Sequence, residues 1–307
     1  MAITLEEASK LSNDILLQGV VETIVKDSPI LQQLPFVEIV GNGLTYNQEK
    51  TLPTIDFYEV GDTWAESTPT FEQCTATLKI MGGDADVDNF LKATRSNVQD
   101  LEAAVVELKA KALKDKFEET FIYGDTTTNS KQFDGLRKLI DTPTASDQVI
   151  AAGATGGSLT LSLLDELIDA IKGGKPDLLL MSRRSRRKLN ALVRAAGSAM
   201  METDRNKWGN FVLLWDGIPI GVCDWILDTH VVSDSVETAT TGGTCSTIYA
   251  MQFGEGALCG LTSPGQLTVE PIGSMESKDA SRTRVKWYVS LALFSSIKVA
   301  ALIGVTD

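Results

Sequence analysis

One histidine in 307 residues leaves little acid–base chemistry near neutral pH. Any Ser-His-Asp or Cys-His unit would have to use His230, and its surroundings, Leu227-Asp228-Thr229-His230-Val231, contain no G-x-S-x-G turn. His230 reads instead as an ordinary strand-edge or loop residue. Cysteine is sparse too: Cys74, Cys223, Cys245 and Cys259 show neither C-x-x-C spacing nor nearby histidines, which predicts free, mostly buried thiols. No apolar run reaches the roughly eighteen residues that span a bilayer. The start, Met1-Ala2-Ile3-Thr4-Leu5-Glu6-Glu7, lacks a basic n-region, so the expectation is no signal peptide and a soluble chain made in the cytoplasm. Basic residues are also short, 28 against 41 acidic, for a net charge of −13. That argues against a clamp on nucleic-acid phosphates, though not against a surface lying near DNA.

What the chain does have is core and reach. Hydrophobic residues make up 43% of it, enough for a core in one large domain or two ordinary ones. Residues 1–40 read as an arm. Leu5, Ala8, Leu11, Ile15, Leu16, Val20 and Ile24 follow a loose helical period, and Asp27-Ser28-Pro29 stops it. Ile30, Leu31, Leu34 and Phe36 then look exposed and require a cover, such as a partner subunit. From Glu38 to Leu78 the pattern is β, with a tight turn at Gly41-Asn42-Gly43 and strands over Leu44 to Asp56 and Phe71 to Ile80. A lone two-stranded ribbon is marginal in water, which suggests a projection lying on an adjacent molecule.

A long amphipathic helix is predicted from Ser96 to Tyr123. Its stripe is Val98, Leu101, Val105, Leu108 and Ala112, continued by Phe117 and Phe121. Ser96-Asn97-Val98-Gln99 has the form of a capping box, and Gly124 suits a left-handed C-cap. Leu108→Asp is expected to unfold the subunit. Beyond Asp141, helices over Leu163 to Ile171 and Ser182 to Ala196 alternate with strands over Leu178 to Met181, Phe211 to Leu214 and Ile218 to Val222. A threonine- and glycine-rich loop, Ser233 to Ser246, precedes strands over Thr247 to Phe253, Gln266 to Ile272, Thr283 to Leu293 and Ile297 to Ile303.

Asp84-Ala85-Asp86-Val87-Asp88 opens like a calcium loop. Positions six and twelve hold Asn89 and Arg95 where glycine and glutamate are needed, so a turn followed by helix N-terminal acids is expected. Gly153-Ala154-Thr155-Gly156-Gly157-Ser158 has no lysine, and Gly173-Gly174-Lys175-Pro176 puts proline where a helix should begin; neither is a P-loop. Ser182-Arg183-Arg184-Ser185-Arg186-Arg187-Lys188 is the one basic cluster. It fits either a phosphate contact or a solvated helix face that pairs with acids on this or a neighbouring subunit. Lys50, in the ribbon, could in principle form an isopeptide bond to a neighbour's asparagine; a solvated edge lysine is the plainer reading. No residue is assigned a catalytic, cofactor-binding or metal role, and no cofactor is expected.

The order and hydropathy of nearly the whole chain resemble the tailed-bacteriophage major capsid proteins of the Hong Kong ninety-seven type. The resemblance rests on three passages. They are Tyr123-Gly124-Asp125 followed by Phe133-Asp134-Gly135-Leu136, Leu214-Trp215-Asp216-Gly217-Ile218-Pro219-Ile220, and Tyr249-Ala250-Met251-Gln252-Phe253-Gly254 with the ending from Val285 to Val305. It implies an α+β fold with an N-terminal arm (1–40) and an extended β-hairpin loop, or E-loop (41–83). A peripheral domain with a spine helix (84–140 and 265–307) and an axial domain (141–264) complete it. The implied function is structural and non-enzymatic: hexamers and pentamers closing an icosahedral shell around double-stranded DNA, assembled in the host cytoplasm and resident in the virion. Implied partners are the chain itself and scaffolding, portal and decoration proteins, with packaged DNA held without sequence-specific binding and no membrane. A start at Met1 would imply a separate scaffold or none. An encapsulin-like nanocompartment enclosing an enzyme cargo is the alternative, with Leu5 to Val25 able to dock that cargo. A soluble enzyme is the third reading, and no catalytic constellation supports it. Deleting residues 44–78 is expected to leave a folded subunit that cannot assemble.

Overall fold

The computed structural model describes residues 28–51, 53–95, 101–140, 148–197, 201–205, 211–231, 243–264 and 268–306. The arm helix, the capping box at 96–99 and most of the loop at 233–246 lie outside them. A short helix α1 (Pro29–Gln33) and strand β1 (Phe36–Glu38) precede the ribbon, β2 (Gly43–Thr51) and β3 (Thr70–Thr77). Next come β4 (Lys79–Asp88), α2 (Asn89–Arg95), the long α3 (Leu101–Tyr123) and α4 (Leu136–Ile140). The middle of the chain is β5 (Val149–Ala151), β6 (Gly157–Ser158), α5 (Leu161–Asp169), β7 (Leu178–Met181), α6 (Arg183–Ala196), β8 (Met201–Arg205), β9 (Phe211–Trp215) and β10 (Ile218–Val222). It closes with β11 (Ser246–Met251), β12 (Leu258–Thr262), β13 (Thr268–Ser274), β14 (Ala280–Leu293) and β15 (Val299–Thr306).

Two sheets organise the subunit. The first runs β1-β12-β14-β13 with β4 also on β14; the second runs β5-β15-β11-β7-β10-β9-β8 with β6 also on β15. Strand β14 is long enough to hold three partners, from Ala280↔Asp88 to Val289↔Lys79 along β4, and beside β13 and β12 on its other edge. Strand alternation sorts its side chains: Thr283, Val285, Trp287 and Val289 are buried, and the intervening Arg282, Arg284 and Lys286 take the opposite face. Helix α3 lies on the apolar face, with the Phe117 ring 4.9 Å from Trp287 and 5.8 Å from Phe133. The same apolar cluster takes in Leu178, Leu180, Tyr249, Met251, Val299 and Ala301 of the second sheet, so one core joins both sheets. The second sheet's other face, including Leu179, Met181, Ile248 and Leu302, is covered by α5 and α6. A strand covered on both faces is an unbroken apolar run, as Leu178–Met181 is.

Several expectations change here. Pro29 starts a helix: Ser28 Oγ accepts from Leu31 N at 3.3 Å, and proline is well suited to a first helical turn, whose N–H groups have no intrahelical partner. Ile30 and Leu34 are thereby buried in the subunit's own core and need no cover from a partner. In α3 the buried apolar residues include Val105, Leu113, Phe117 and Phe121, spaced by multiples of four, with Ala104 and Ile122 beside them, while Leu108 is left half-buried and Ala112 exposed. Gly124 is not in the left-handed region; it is needed because a Cβ there would sit 2.2 Å from the Phe133 carbonyl oxygen and 2.6 Å from that of Thr120. Asp84 to Asp88 form strand, not turn. Helix α5 begins at Leu161, capped by Thr160, two residues ahead of the expected start at Leu163. Strand β12 was not foreseen, and β15 is hydrogen-bonded into the second sheet instead of returning to the first.

Candidate assembly surface

The ribbon is anchored at its root and bare at its tip. Its register runs from Gly43↔Thr77 to Thr51↔Thr70. At the root the Tyr46 ring packs at a tilt 4.8 Å from Phe294, and Gln48 Nε2 donates to the Leu293 carbonyl. Burial pushes the Tyr46 phenol up to about 12. A 410 Å³ cleft lies beside this root, lined by Tyr46, Gln48, Cys74, Thr126, Phe133 and Leu293 among others. Lys79 also lines the cleft, and its Nζ donates to the Ser130 carbonyl at 2.8 Å.

Residues 53–69 form the tip. Ile55, Phe57, Val60 and Trp64 expose 90%, 105%, 108% and 77% of their surface, so nothing in the same subunit covers them. The loop is nonetheless shaped. Tyr58 and Trp64 stack at 4.4 Å, Ala65 N donates to Tyr58 Oη at 3.2 Å, and Ser67 Oγ donates to the Thr54 carbonyl at 3.0 Å. Its charged residues are Asp56, Glu59, Asp62 and Glu66, with no base. Large apolar side chains left bare together on one short, internally shaped loop commonly mark a contact surface. The Tyr58–Trp64 pair was missed in the sequence, where two aromatics six apart across a glycine were the available signal.

The other residues singled out in the sequence have structural work. Asp84 and Asp86 pair across strands with Arg284 and Arg282, at 2.6 and 2.7 Å, and these guanidinium hydrogen bonds hold both carboxyls below their usual range. Asp88 Oδ1 accepts from Phe90 N at 2.8 Å and caps α2. Asp125 accepts from Thr127 and Thr128, which lowers it to about 2, and Asp134 accepts from Thr126 at 2.8 Å, so the passage after α3 is a closed loop. His230 is buried with Nε2 2.8 Å from Tyr123 Oη, and Leu227 N donates to the same hydroxyl at 3.0 Å. Cys223, Cys245 and Cys259 are buried and Cys74 is half-buried, none of them in a disulfide; burial pushes Cys223 to about 12 and Cys259 to about 11, poor values for a nucleophile. Lys298 Nζ donates to the Lys172 carbonyl at 3.0 Å beside Gly173, and Gly156 makes a tight turn at φ +89°. Lys50 lies on β2, and its side chain is outside the described residues. Among the described residues no cluster of His, Cys, Asp and Glu could hold a metal ion.

The basic cluster divides in two. Arg183 pairs with Asp224, and Arg184 donates to the carbonyls of Asp228, Thr244 and Val305 at 3.2, 2.7 and 3.2 Å. Arg186 and Arg187 point outward on α6 and are exposed.

Residues 13–164, just under half of the chain, match the family model described as Major capsid protein GP7. The SrpI encapsulin of Synechococcus elongatus PCC 7942 superposes with a TM-score of 0.68 at 17% identity, over 100% of this chain and 97% of that one. A chain from Mycobacterium phage Adephagia gives 0.62 at 15% identity, over 100% and 99%. The capsid of a native GTA particle gives 0.60 at 15% identity, over 90% of each chain. At these identities the likeness is one of fold. No curated protein matches the chain in sequence.

Proposed function

We infer the chain's work from its kinship: it is a major capsid protein of the tailed-bacteriophage type, in its fold and in the family model that its N-terminal half matches. It is a structural subunit that associates with copies of itself, as hexamers and pentamers of an icosahedral shell. The observation that carries this reading is the ribbon: rooted in the subunit's own core, shaped by internal stacking, and apolar where it leaves the molecule. Residues 41–83 then act as the E-loop that laps a neighbour. The first sheet with α3 forms the peripheral body and the second sheet the axial one. Packaged double-stranded DNA fills the shell without sequence-specific contact, and the net charge of −13 keeps it from sticking. Scaffolding, portal and decoration proteins, and assembly in the host cytoplasm, belong to the same reading, which assigns the subunit no catalysis.

Negative-stain microscopy of the purified full chain tests it. Rings, tubes or shells are expected; small monodisperse particles under every assembly condition would overturn the reading. The encapsulin likeness favours a second reading, a shell around an enzyme. The contents of purified shells decide: nuclease-resistant double-stranded DNA supports the first, a co-purifying enzyme the second.

A further inference from the structure

We propose that the outer face of α6 is where this subunit touches duplex DNA, through phosphates and not bases; this rests on the shell reading above and names its point of contact. Helix α6 holds six bases and no acid in 14 residues, within a chain where acids outnumber bases 41 to 28. Helix stability does not call for that. Five of the six fall in its first six positions, the end at which the helix dipole disfavours cations, and Arg183–Arg187 and Arg184–Lys188 set like charges one turn apart. Two are compensated within the subunit: Arg183 pairs with Asp224 and Arg184 with Asp228. Arg186, Arg187 and Arg194 are exposed and make no salt bridge among the described residues. At 3.6 residues per turn these three project within roughly 100° of one another, away from the buried Ser185 and Leu189.

The occupant that these groups fit is a phosphate backbone. A guanidinium donates two parallel hydrogen bonds to one phosphate. From Arg186 to Arg194 the helix runs roughly 12 Å, alongside about seven duplex charges at ~1.7 Å each. The acidic ribbon tip of a neighbouring copy fits less well. Its Ile55, Phe57, Val60 and Trp64 need apolar cover, and α6 exposes no large apolar side chain. The rest of the subunit is acidic overall and repels phosphate, so contact is confined to this face and stays weak enough for a packed duplex to slide. In a shell, α6 then looks inward.

The test is binding of the dissociated full chain to short fluorescein-labelled duplexes, read by fluorescence anisotropy from low salt upward. Wild-type chain should bind duplexes of unrelated sequence equally. Arg186→Gln with Arg187→Gln should weaken binding by at least roughly tenfold and lower the slope of log affinity against log salt by about two, with thermal melting unchanged. Should that chain fold poorly, Arg194→Gln gives a smaller loss in the same direction. Lys131→Gln with Lys278→Gln removes the same charge from exposed positions after α3 and between β13 and β14, and should change binding little. An equal loss there would reduce the effect to overall charge and overturn the proposal. Wild-type chain that forms shells but binds no duplex, or binding indifferent to Arg186 and Arg187, would overturn it and leave the shell reading standing. Loss of shells on the double arginine substitution, with duplex binding intact, would assign the face to a neighbouring subunit and overturn it too. A chain that binds duplex through α6 yet forms no shells would keep this interface and overturn the shell reading.

Discussion

Gly124 and Gly135 show how tightly single residues hold the end of α3. Gly124 N donates to the Thr120 carbonyl at 2.7 Å, and Gly135 N to the Gly124 carbonyl at 2.8 Å. A Cβ on Gly135 would lie 2.5 Å from the Thr120 oxygen and 2.7 Å from Gly124 N, with rigid backbone on every side. Gly135→Ala should cost roughly 3 kcal/mol, measured by denaturant unfolding. Glu118 works in the other direction. It is 7% exposed, its Oε1 lacks a partner, and burial raises its carboxyl above the usual 4.5, offset in part by a hydrogen bond to Ser28. An acid whose folded pKa is raised binds its proton more tightly folded than unfolded. Stability is then greatest below about 4.5 and falls as pH rises through the folded value. Glu118→Gln should raise the melting temperature at neutral pH by roughly 2–4 °C and change it little at pH 4, as scanning calorimetry would show. A fall at neutral pH would mean that the ionised carboxylate has a partner it needs.

Among elements, those with local chemistry could be read in the sequence and those with distant partners could not. Asp216-Gly217, at φ +50° and +78°, forms the tight turn between β9 and β10, and Ser182 and Gly197 cap the two ends of α6; in each case the signal lies within a few residues. The acids at 84 and 86 read as loop because their partners Arg284 and Arg282 are 200 and 196 residues away. Strand β12 hides in a glycine-bearing stretch whose burial depends on β1 and β14 on either side. The ribbon was legible as two strands around a turn-rich loop, but its root contacts with Leu293 and Phe294 were not. The basic run of α6 stands in the sequence; the pairing of Arg183 with Asp224 and of Arg184 with Asp228 does not. The stripe of α3 was half right, and the difference can be tested. Phe117 is fully buried among Phe36, Phe121, Phe133 and Trp287, so Phe117→Asp should prevent folding; Leu108→Asp, at the half-buried margin, should fold with a lower melting temperature. Circular dichroism melts of the two variants separate these outcomes, and equal damage from both would show that the margin is packed as tightly as the centre.

At the scale of the whole molecule, one core and one bare projection divide the work. Because α3, the first sheet and the second sheet share a single apolar cluster, the subunit should unfold in one calorimetric transition; two resolved transitions would show that the sheets are separate cooperative units. The ribbon is joined to this core only at its root. Removing residues 44–78 would strip Tyr46 and Ala76 from the cluster around Ile39, Cys259, Leu261 and Ala292, and would confuse loss of folding with loss of assembly. Replacing residues 53–68 with a short Gly-Ser turn avoids this, since Ile55, Phe57, Val60 and Trp64 touch no core residue and the root contacts survive. The shortened subunit should melt as the full chain does, because the deleted surface contributes nothing to the folded monomer. It should form no shells at concentrations where the full chain does, because the apolar patch that a neighbour would cover is gone. Shells of normal size from this variant would show that the tip is not the clasp and that other contacts close the particle by themselves.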